Sequence, residues 1–360
     1  MKKSYKIVLA IVVLVLVGFA FFWNLGPKNN DIAIGAVLSL TGPAQYFGEE
    51  TKKGMDLANQ DGAVNFIYED SRSDATTAIS AYSKLKSQSI KAVILSLSNV
   101  AEVVVPLTEK DQMFSVQNLV SARKVQGDMS VRFFTSAEQE APIMANFAAN
   151  NLKLNKVAIL ASTDAYGKTY AEVFKTTFEN LGGQIVINES YDKKDQDFKT
   201  QLAKIKISDA EGVYIIGLDT HLVSIFRQMN ELGLKQIKMT NWIMASPGVQ
   251  AKVGANSEGV YMTTPDYYLA GNKKVADFTE AYQKKYGSLP SAYSAIGYDT
   301  AGLFREAIKG AKSSQDIQNN FKNIKNFDGL MGKLNVNEKG EITIPLIPAK
   351  MEGGKMVVIK

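Results

Sequence analysis

The loop Ser96-Leu97-Ser98-Asn99 joins an apolar run, Ala92 to Leu95, to a helical stretch, Ala101 to Lys110. A helix start leaves backbone N–H groups without intrahelical acceptors, and a serine hydroxyl beside them completes a site suited to a small anion. Ser and Asn are equally favoured as simple helix caps, so the loop supports either role. A second cluster, Asp219, His221 and Ser224, holds the residue types of a hydrolytic triad. Its spacing puts all three on one short helix start rather than in a nucleophile, base and orienter arrangement, and His221 reads as a surface residue. With one His and no Cys, the chain has no thiolate site or Cys nucleophile and too few imidazoles for a His-based zinc site. It carries no Gly-rich dinucleotide fingerprint or phosphate loop of standard spacing. The chemistry on offer is binding, with no catalytic residue, metal or cofactor expected.

The elements that must position these residues are those of an α/β protein. Ile32 to Leu40 is a near-continuous apolar run, the mark of a strand buried on both faces of a parallel sheet. Thr41-Gly42-Pro43 ends it, because Pro cannot donate to a ladder. The loop Ala44 to Gly48 then sits at the carboxyl end of a buried strand, where open α/β sheets bind ligands. Strand and helix signals alternate from there to Thr263, and the pattern restarts at Lys156. Strands are expected at Val64 to Glu69, Ala92 to Leu95, Met113 to Val116, Lys156 to Ala161, Gln184 to Glu189, Gly212 to Ile216 and Ile237 to Thr240. Helices are expected at Ala75 to Gln88, Tyr166 to Leu181, Phe198 to Ile205, His221 to Leu232, Lys273 to Tyr286 and Ala292 to Ala311. Pro106 should kink or shorten the helix Ala101 to Lys110. A length of 360 residues suits two lobes rather than one core.

The amino terminus is a separate object. Lys2, Lys3 and Lys6 precede an apolar run from Ile7 to Trp23, the pattern of an export signal or a retained membrane anchor. Either way the lysines stay inside and the globular part lies outside the cytoplasmic membrane. The formal charge of +5 owes four units to Lys2, Lys3, Lys6 and Lys28, which leaves 37 basic against 36 acidic residues. A nearly neutral body lacks the concentrated basic stripe that nucleic acid requires.

The stretch Gly35, Leu40 to Pro43, Phe47, Gly48 and Gly54 resembles the first strand and loop of the type 1 periplasmic-binding proteins, in the group of branched-chain amino-acid receptors. Asp164-Ala165-Tyr166-Gly167, Phe226-Arg227-Gln228, Glu258-Gly259-Val260, Gly297-Tyr298-Asp299 and Asn337 to Gly340 extend the resemblance over nearly everything after residue 30. It implies two Rossmann-like lobes with parallel-sheet cores joined by a three-crossover hinge. Lobe 1 would comprise 31–138 with 266–343, lobe 2 would comprise 139–265 with 344–360, and 1–30 would be the signal or anchor.

By the same resemblance, Ser98 grips a ligand carboxylate, flanked by Leu97 and Asn99, while Gln117 and Leu119 follow the next strand. Phe47 and Tyr166 supply cleft aromatics from opposite lobes. Tyr293, on a late helix, reads as core or surface packing or as a further ring approaching the same cleft. Two positions depart from the amino-acid receptors: Leu119 stands where they have a Thr, and Trp242 where they have a Glu that neutralises the ligand ammonium. Asp219 is a candidate substitute for that acid, with helix capping as its other reading. Trp242 reads as an aromatic platform or as core.

The function this implies is an extracytoplasmic solute-binding protein. It would be a monomer that captures a small carboxylate ligand, an apolar amino acid or a related apolar or aromatic organic acid, and passes it to the membrane permease of an ABC-type importer. A ligand-sensing module for a signalling partner is the alternative within the same fold, and an α/β enzyme with an unrecognised site is the alternative outside it.

Overall fold

In a computed structural model, the structure describes residues 32–120, 125, 127–269 and 271–359, apart from the side chain of Asp219. The apolar segment Ile7 to Trp23 lies outside this range. Among the described residues no helix is long and apolar enough to cross a membrane.

The first sheet is wholly parallel. Its strands are β1 (Ala33–Leu38), β2 (Asn65–Asp70), β3 (Ala92–Ser96), β4 (Phe114–Asn118) and β5 (Ser130–Phe133), in the order β2-β1-β3-β4-β5. Helices α1 (Gln45–Ala58), α2 (Ala75–Ser87) and α3 (Ser98–Lys110) provide the crossovers. The apolar runs read from the sequence are apolar on both sides for a visible reason. In β3, Ile94 faces a cluster with Met55 and Phe304, while Val93 and Leu95 face Tyr82, Leu85 and Val104 on the other side.

The chain leaves this sheet after β5. It continues through α4 (Ala137–Asn146), β6 (Lys156–Ser162), α5 (Ala165–Asn180), β7 (Gln184–Tyr191), α6 (Lys199–Ile207), β8 (Gly212–Ile216), α7 (Asp219–Glu231), β9 (Ile237–Thr240), the 3-10 turn Trp242–Ala245, α8 (Pro247–Val253) and β10 (Tyr261–Pro265). It then returns to pack α9 (Lys273–Tyr286), α10 (Ala292–Ala307) and α11 (Ser314–Lys322) with the first sheet. A small antiparallel sheet follows, β11 (Phe327–Asp328), β12 (Lys333–Val336) and β13 (Ile342–Thr343). The last passage leads to β14 (Leu346–Glu352) and β15 (Lys355–Val358), antiparallel edge strands of the second sheet, whose order is β15-β14-β10-β9-β8-β6-β7.

Contact between α1 and α10 depends on two glycines. A Cβ on Gly54 would lie 1.9 Å from the Ser294 carbonyl oxygen, and one on Gly297 would lie 2.1 Å from that of Thr51. Both positions therefore exclude any side chain, and the helix that begins at the loop after β1 is held against the late helix.

Three expectations are corrected. Helix α3 begins at Ser98 and runs through Pro106 to Lys110 without being shortened. Pro106 and Glu102 both lie on the exposed face, so the carbonyl that loses its donor is left to water. Strand β5 and helix α4 occupy a stretch that periodicity left blank. His221 is buried rather than on the surface, with Nε2 2.8 Å from the Lys193 carbonyl and its ring against Tyr191.

Candidate functional site

Both sheets reverse their strand order at a pair of strands, β1 and β3 in the first and β6 and β8 in the second, the place where open α/β sheets bind ligands. In the first lobe the three loops are laced together by side chains. Asp70 accepts hydrogen bonds from the Leu40 and Thr41 N–H groups and the Thr41 hydroxyl, Ser73 accepts from the Ala44 N–H, and Asn99 donates to the Ser73 carbonyl at 2.8 Å. Burial raises the Asp70 carboxyl, but donation from Thr41, Arg72 and Leu40 outweighs it and holds the group below its ordinary value.

Ser98 is the first residue of α3, and the capping position is Leu97, whose backbone has φ 78° and ψ 149°. The cap reading of Ser98 is thereby overturned. Its hydroxyl makes no hydrogen bond to a described residue. A leucine at this φ is strained, and the strain turns the backbone so that α3 begins beside Ser98. Leu119 also has positive φ, 57°, and its side chain is buried in the core. Gln117 is buried and donates to the Val125 carbonyl at 2.5 Å, while its Oε1 has no partner among the described residues. Asn99 is a strut between loops.

In the second lobe, Asp164 caps α5 by accepting from the Gly167 N–H at 2.9 Å, which sets Tyr166 in the first turn. The Tyr166 hydroxyl accepts from Asn241 Nδ2 at 2.6 Å, and its ring lies 4.7 Å from that of Tyr170. Trp242 is 3% exposed and packs edge-on against Phe134. It belongs to the core and also lines a cavity. Asp219 opens α7 after the strand end of β8.

A cavity of about 330 Å³ separates the lobes. Tyr46 and Tyr293 line it from α1 and α10, and Trp242, Val249 and Lys252 line it from the second lobe, with Tyr268 from the passage after β10. Phe47 stands behind them, its ring centroid 4.9 Å from that of Tyr293. Lys252 is the one charged side chain among the lining residues. A mostly apolar wall with a few polar groups is the usual makeup of a small-molecule site. Of the described side chains singled out from the sequence, Trp242 and Tyr293 line this cavity directly. Ser98, Leu97, Asn99, Gln117 and Leu119 belong to the adjoining strand ends of lobe 1.

Sequence reasoning missed Glu140. It is fully buried in the first turn of α4, where an acid ordinarily faces water and complements the helix dipole. Here Oε1 accepts from the Trp242 N–H at 2.6 Å and from the Thr263 hydroxyl, and Oε2 accepts from the Tyr170 hydroxyl at 2.6 Å. Among the described residues no cation pairs with it. Burial pushes its carboxyl up, against the three donors that favour the charged form. No feature of Ala137-Glu138-Gln139-Glu140 distinguishes it from an exposed helix start.

Two doubly crossed parallel-sheet lobes that meet at their switch points around an aromatic cavity define a two-lobed α/β binding protein. A family model described as periplasmic binding protein matches residues 31–355, and the chain belongs to that family. It is 26% identical over 349 residues to a Leu/Ile/Val-binding protein homolog of Brucella melitensis, covering 91% of this chain and 93% of that one. The leucine-binding protein LivK of Thermotoga maritima has the same fold, with a TM-score of 0.78 and 24% identity over 91% of this chain and 98% of that one. So does an ABC-transporter solute-binding protein of R. palustris in complex with benzoate, with a TM-score of 0.76 and 18% identity over 91% and 95%. Among the described residues no group of three or more His, Asp or Glu is arranged to hold a metal ion.

Proposed function

We propose that this protein captures a small carboxylate-bearing ligand with an apolar or aromatic body between its lobes and delivers it to a membrane permease of an ABC-type importer. The observation that carries this reading is the aromatic cavity walled from both sheets. A ligand there touches both lobes at once and holds them shut. Ser98, whose hydroxyl has no hydrogen-bond partner among the described residues, stands at the start of α3 as the candidate partner of the carboxylate. Tyr46, Tyr293 and Trp242 surround the body of the ligand. The crossovers after β5, β10 and β13 act as the hinge, dividing the chain at about residues 138, 265 and 343, and residues 1–30 export or anchor it. Branched-chain amino acids and aromatic acids, which the relatives are described as binding, are the compounds to test first.

The test is a native mass spectrum of the freshly purified full chain in mild detergent, followed by thermal unfolding with leucine, 4-methylpentanoate, phenylalanine and 3-phenylpropanoate. A ligand at about 100 times its Kd stabilises the fold by roughly 2.7 kcal/mol. A retained small carboxylate, or a shift of that size with one of the four, supports the reading. Silence in both counts against it.

A further inference from the structure

Ser291 lines the cavity from lobe 1, beside Tyr293, and the hydrogen of its hydroxyl is already committed. It goes to Oε2 of Glu50 at 2.8 Å. Glu50 is buried on α1, and its other oxygen, Oε1, accepts from the Tyr282 hydroxyl at 2.8 Å and from Lys53 Nζ at 3.1 Å. As the carboxylate partner of Lys53, Glu50 accepts and has no hydrogen to give. The Ser291 oxygen also accepts from the Ser294 N–H at 3.2 Å, because Ser291 caps α10. A hydroxyl has one hydrogen and two lone pairs, so a single lone pair is left. The close approach that Gly54 and Gly297 permit between α1 and α10 is what lets an acid of one helix fix the cap of the other.

We propose that Ser291, held by Glu50 as a hydrogen-bond acceptor, is a specificity-determining residue of the cavity, and that the ligand meets it with an O–H or N–H donor. Glu50 is the positioning residue. This inference rests on the reading of the cleft as the site of a carboxylate ligand with an apolar or aromatic body, and it adds a donor group to that ligand. A carboxylate or ether oxygen brought to Ser291 meets a lone pair with no hydrogen to bridge the two. A ligand without any donor leaves the acceptor unpaired when the lobes close over it, and an unmade hydrogen bond costs more than a made one contributes. A helix start ordinarily favours an anion, but at α10 the negative charge is supplied from behind the cap by Glu50. The wall from the second lobe has the opposite character, because Lys252 is a cation. The polarity of the cavity therefore orients a ligand that carries both groups, with its donor toward α10 and its carboxylate away from it.

Isothermal titration of the full chain in mild detergent compares 3-phenylpropanoate with three compounds that add one donor to it. In 3-phenyllactate and phenylalanine the donor stands beside the carboxylate, and in 3-(4-hydroxyphenyl)propanoate it stands on the ring. At least one of the three should bind the native protein about fivefold or more tighter than 3-phenylpropanoate, and which one does so places the donor and names it as hydroxyl or ammonium. Glu50→Gln tests the positioning. Its amide oxygen goes to the two donors, Tyr282 and Lys53, and its amide nitrogen to Ser291, which then turns its hydrogen to the cavity. The advantage of the donor compound should vanish, whereas a merely structural acid predicts equal weakening of all four. Ser291→Ala removes the acceptor itself and should abolish the same advantage, which keeps the test open if the Gln variant does not fold. An advantage that survives in either folded variant, or a native protein that favours none of the three, overturns the proposal. A further pair carries no carboxylate. Saturation-transfer NMR should show the native protein binding benzyl alcohol in preference to benzyl methyl ether, and Glu50→Gln showing no such preference. If the four acids do not bind but this preference appears, the carboxylate reading has failed and the Ser291 acceptor stands. If it is absent as well, the inference is wrong.

Discussion

At the residue scale, Leu97 and Ser98 divide the work of the first-lobe loop between them. Leu97 takes the strained backbone and the capping position, which frees the Ser98 hydroxyl. Ser98→Ala should therefore leave the unliganded melting behaviour within about 0.5 kcal/mol of native, as for a site without a cap to lose. A hydrogen bond to a charged ligand contributes roughly 1.5 to 3 kcal/mol, so affinity should fall about tenfold or more. Unchanged affinity in titration would remove Ser98 from the site. The strain at Leu97 has its own signature. Gly normally destabilises by roughly 0.5–1 kcal/mol relative to Ala, but a residue at this φ and ψ carries about 1–3 kcal/mol of strain that Gly escapes. Urea unfolding should therefore rank Leu97→Gly above Leu97→Ala by about 1 kcal/mol or more, and the ordinary ranking would show that the loop is relaxed.

At the element scale, α10 links the cleft to the small antiparallel sheet. Its amino end carries Tyr293 at the cavity, and Gly297 presses it on α1. Asp299 then accepts from the Leu330 and Met331 N–H groups at 2.7 and 2.9 Å, which pins the turn between β11 and β12. Gly297→Ala forces a Cβ onto the Thr51 backbone and should destabilise by about 1–3 kcal/mol, with Phe47 and Tyr293 displaced together and binding weakened. Burial raises the Asp299 carboxyl from 3.8 to about 7, more than its two donors lower it. A raised acid holds its proton more tightly in the folded state, so its contribution to stability is complete below about pH 4 and is lost as pH rises through about 7. Unfolding free energy should fall across that window by at most about 1.4 kcal/mol per pH unit. The slope should shrink in Asp299→Asn. A flat native profile would place the group in its ordinary range.

At the scale of the molecule, the passages between the sheets are braced close to where they leave. Arg132 on β5 pairs with Glu341 just before β13, both nearly buried, and the Arg132 N–H donates to the Gly340 carbonyl at 2.8 Å. Glu341→Ala removes the carboxylate paired with the buried Arg132 guanidinium and should cost more than loss of an exposed pair such as Lys273–Asp277, which contributes about 0–1 kcal/mol. Chemical denaturation of the two variants side by side tests this, and equal costs would show that the Arg132 site is wet. If the braced passages act as the proposed hinge, a bound ligand should also shrink the radius of gyration in solution scattering, while the helix and strand content stays constant.

The alternation of buried strands with amphipathic helices was legible because parallel strands covered on both faces are apolar along their whole length, and helices on such a sheet show one apolar face. The restart at Lys156 marked the second lobe for the same reason. The loops at the strand ends were legible through Gly, Pro and Ser, whose backbone chemistry is local. Ser98 stood out through its own loop at a strand end, whereas Phe47, Tyr166 and Trp242 stood out only through the family resemblance. What only the tertiary structure decided was nonlocal. Glu140 looks like any solvated helix start until Trp242, Thr263 and Tyr170 converge on it from three other elements. His221 was expected at the surface, yet Tyr191 and the Lys193 carbonyl cover it, contributed by a strand and loop some thirty residues away. Tyr46 and Tyr293 became one wall only because Gly54 and Gly297 let two distant helices touch. Burial of a polar group is set by what the rest of the chain brings to it, and no spacing within its own segment encodes that.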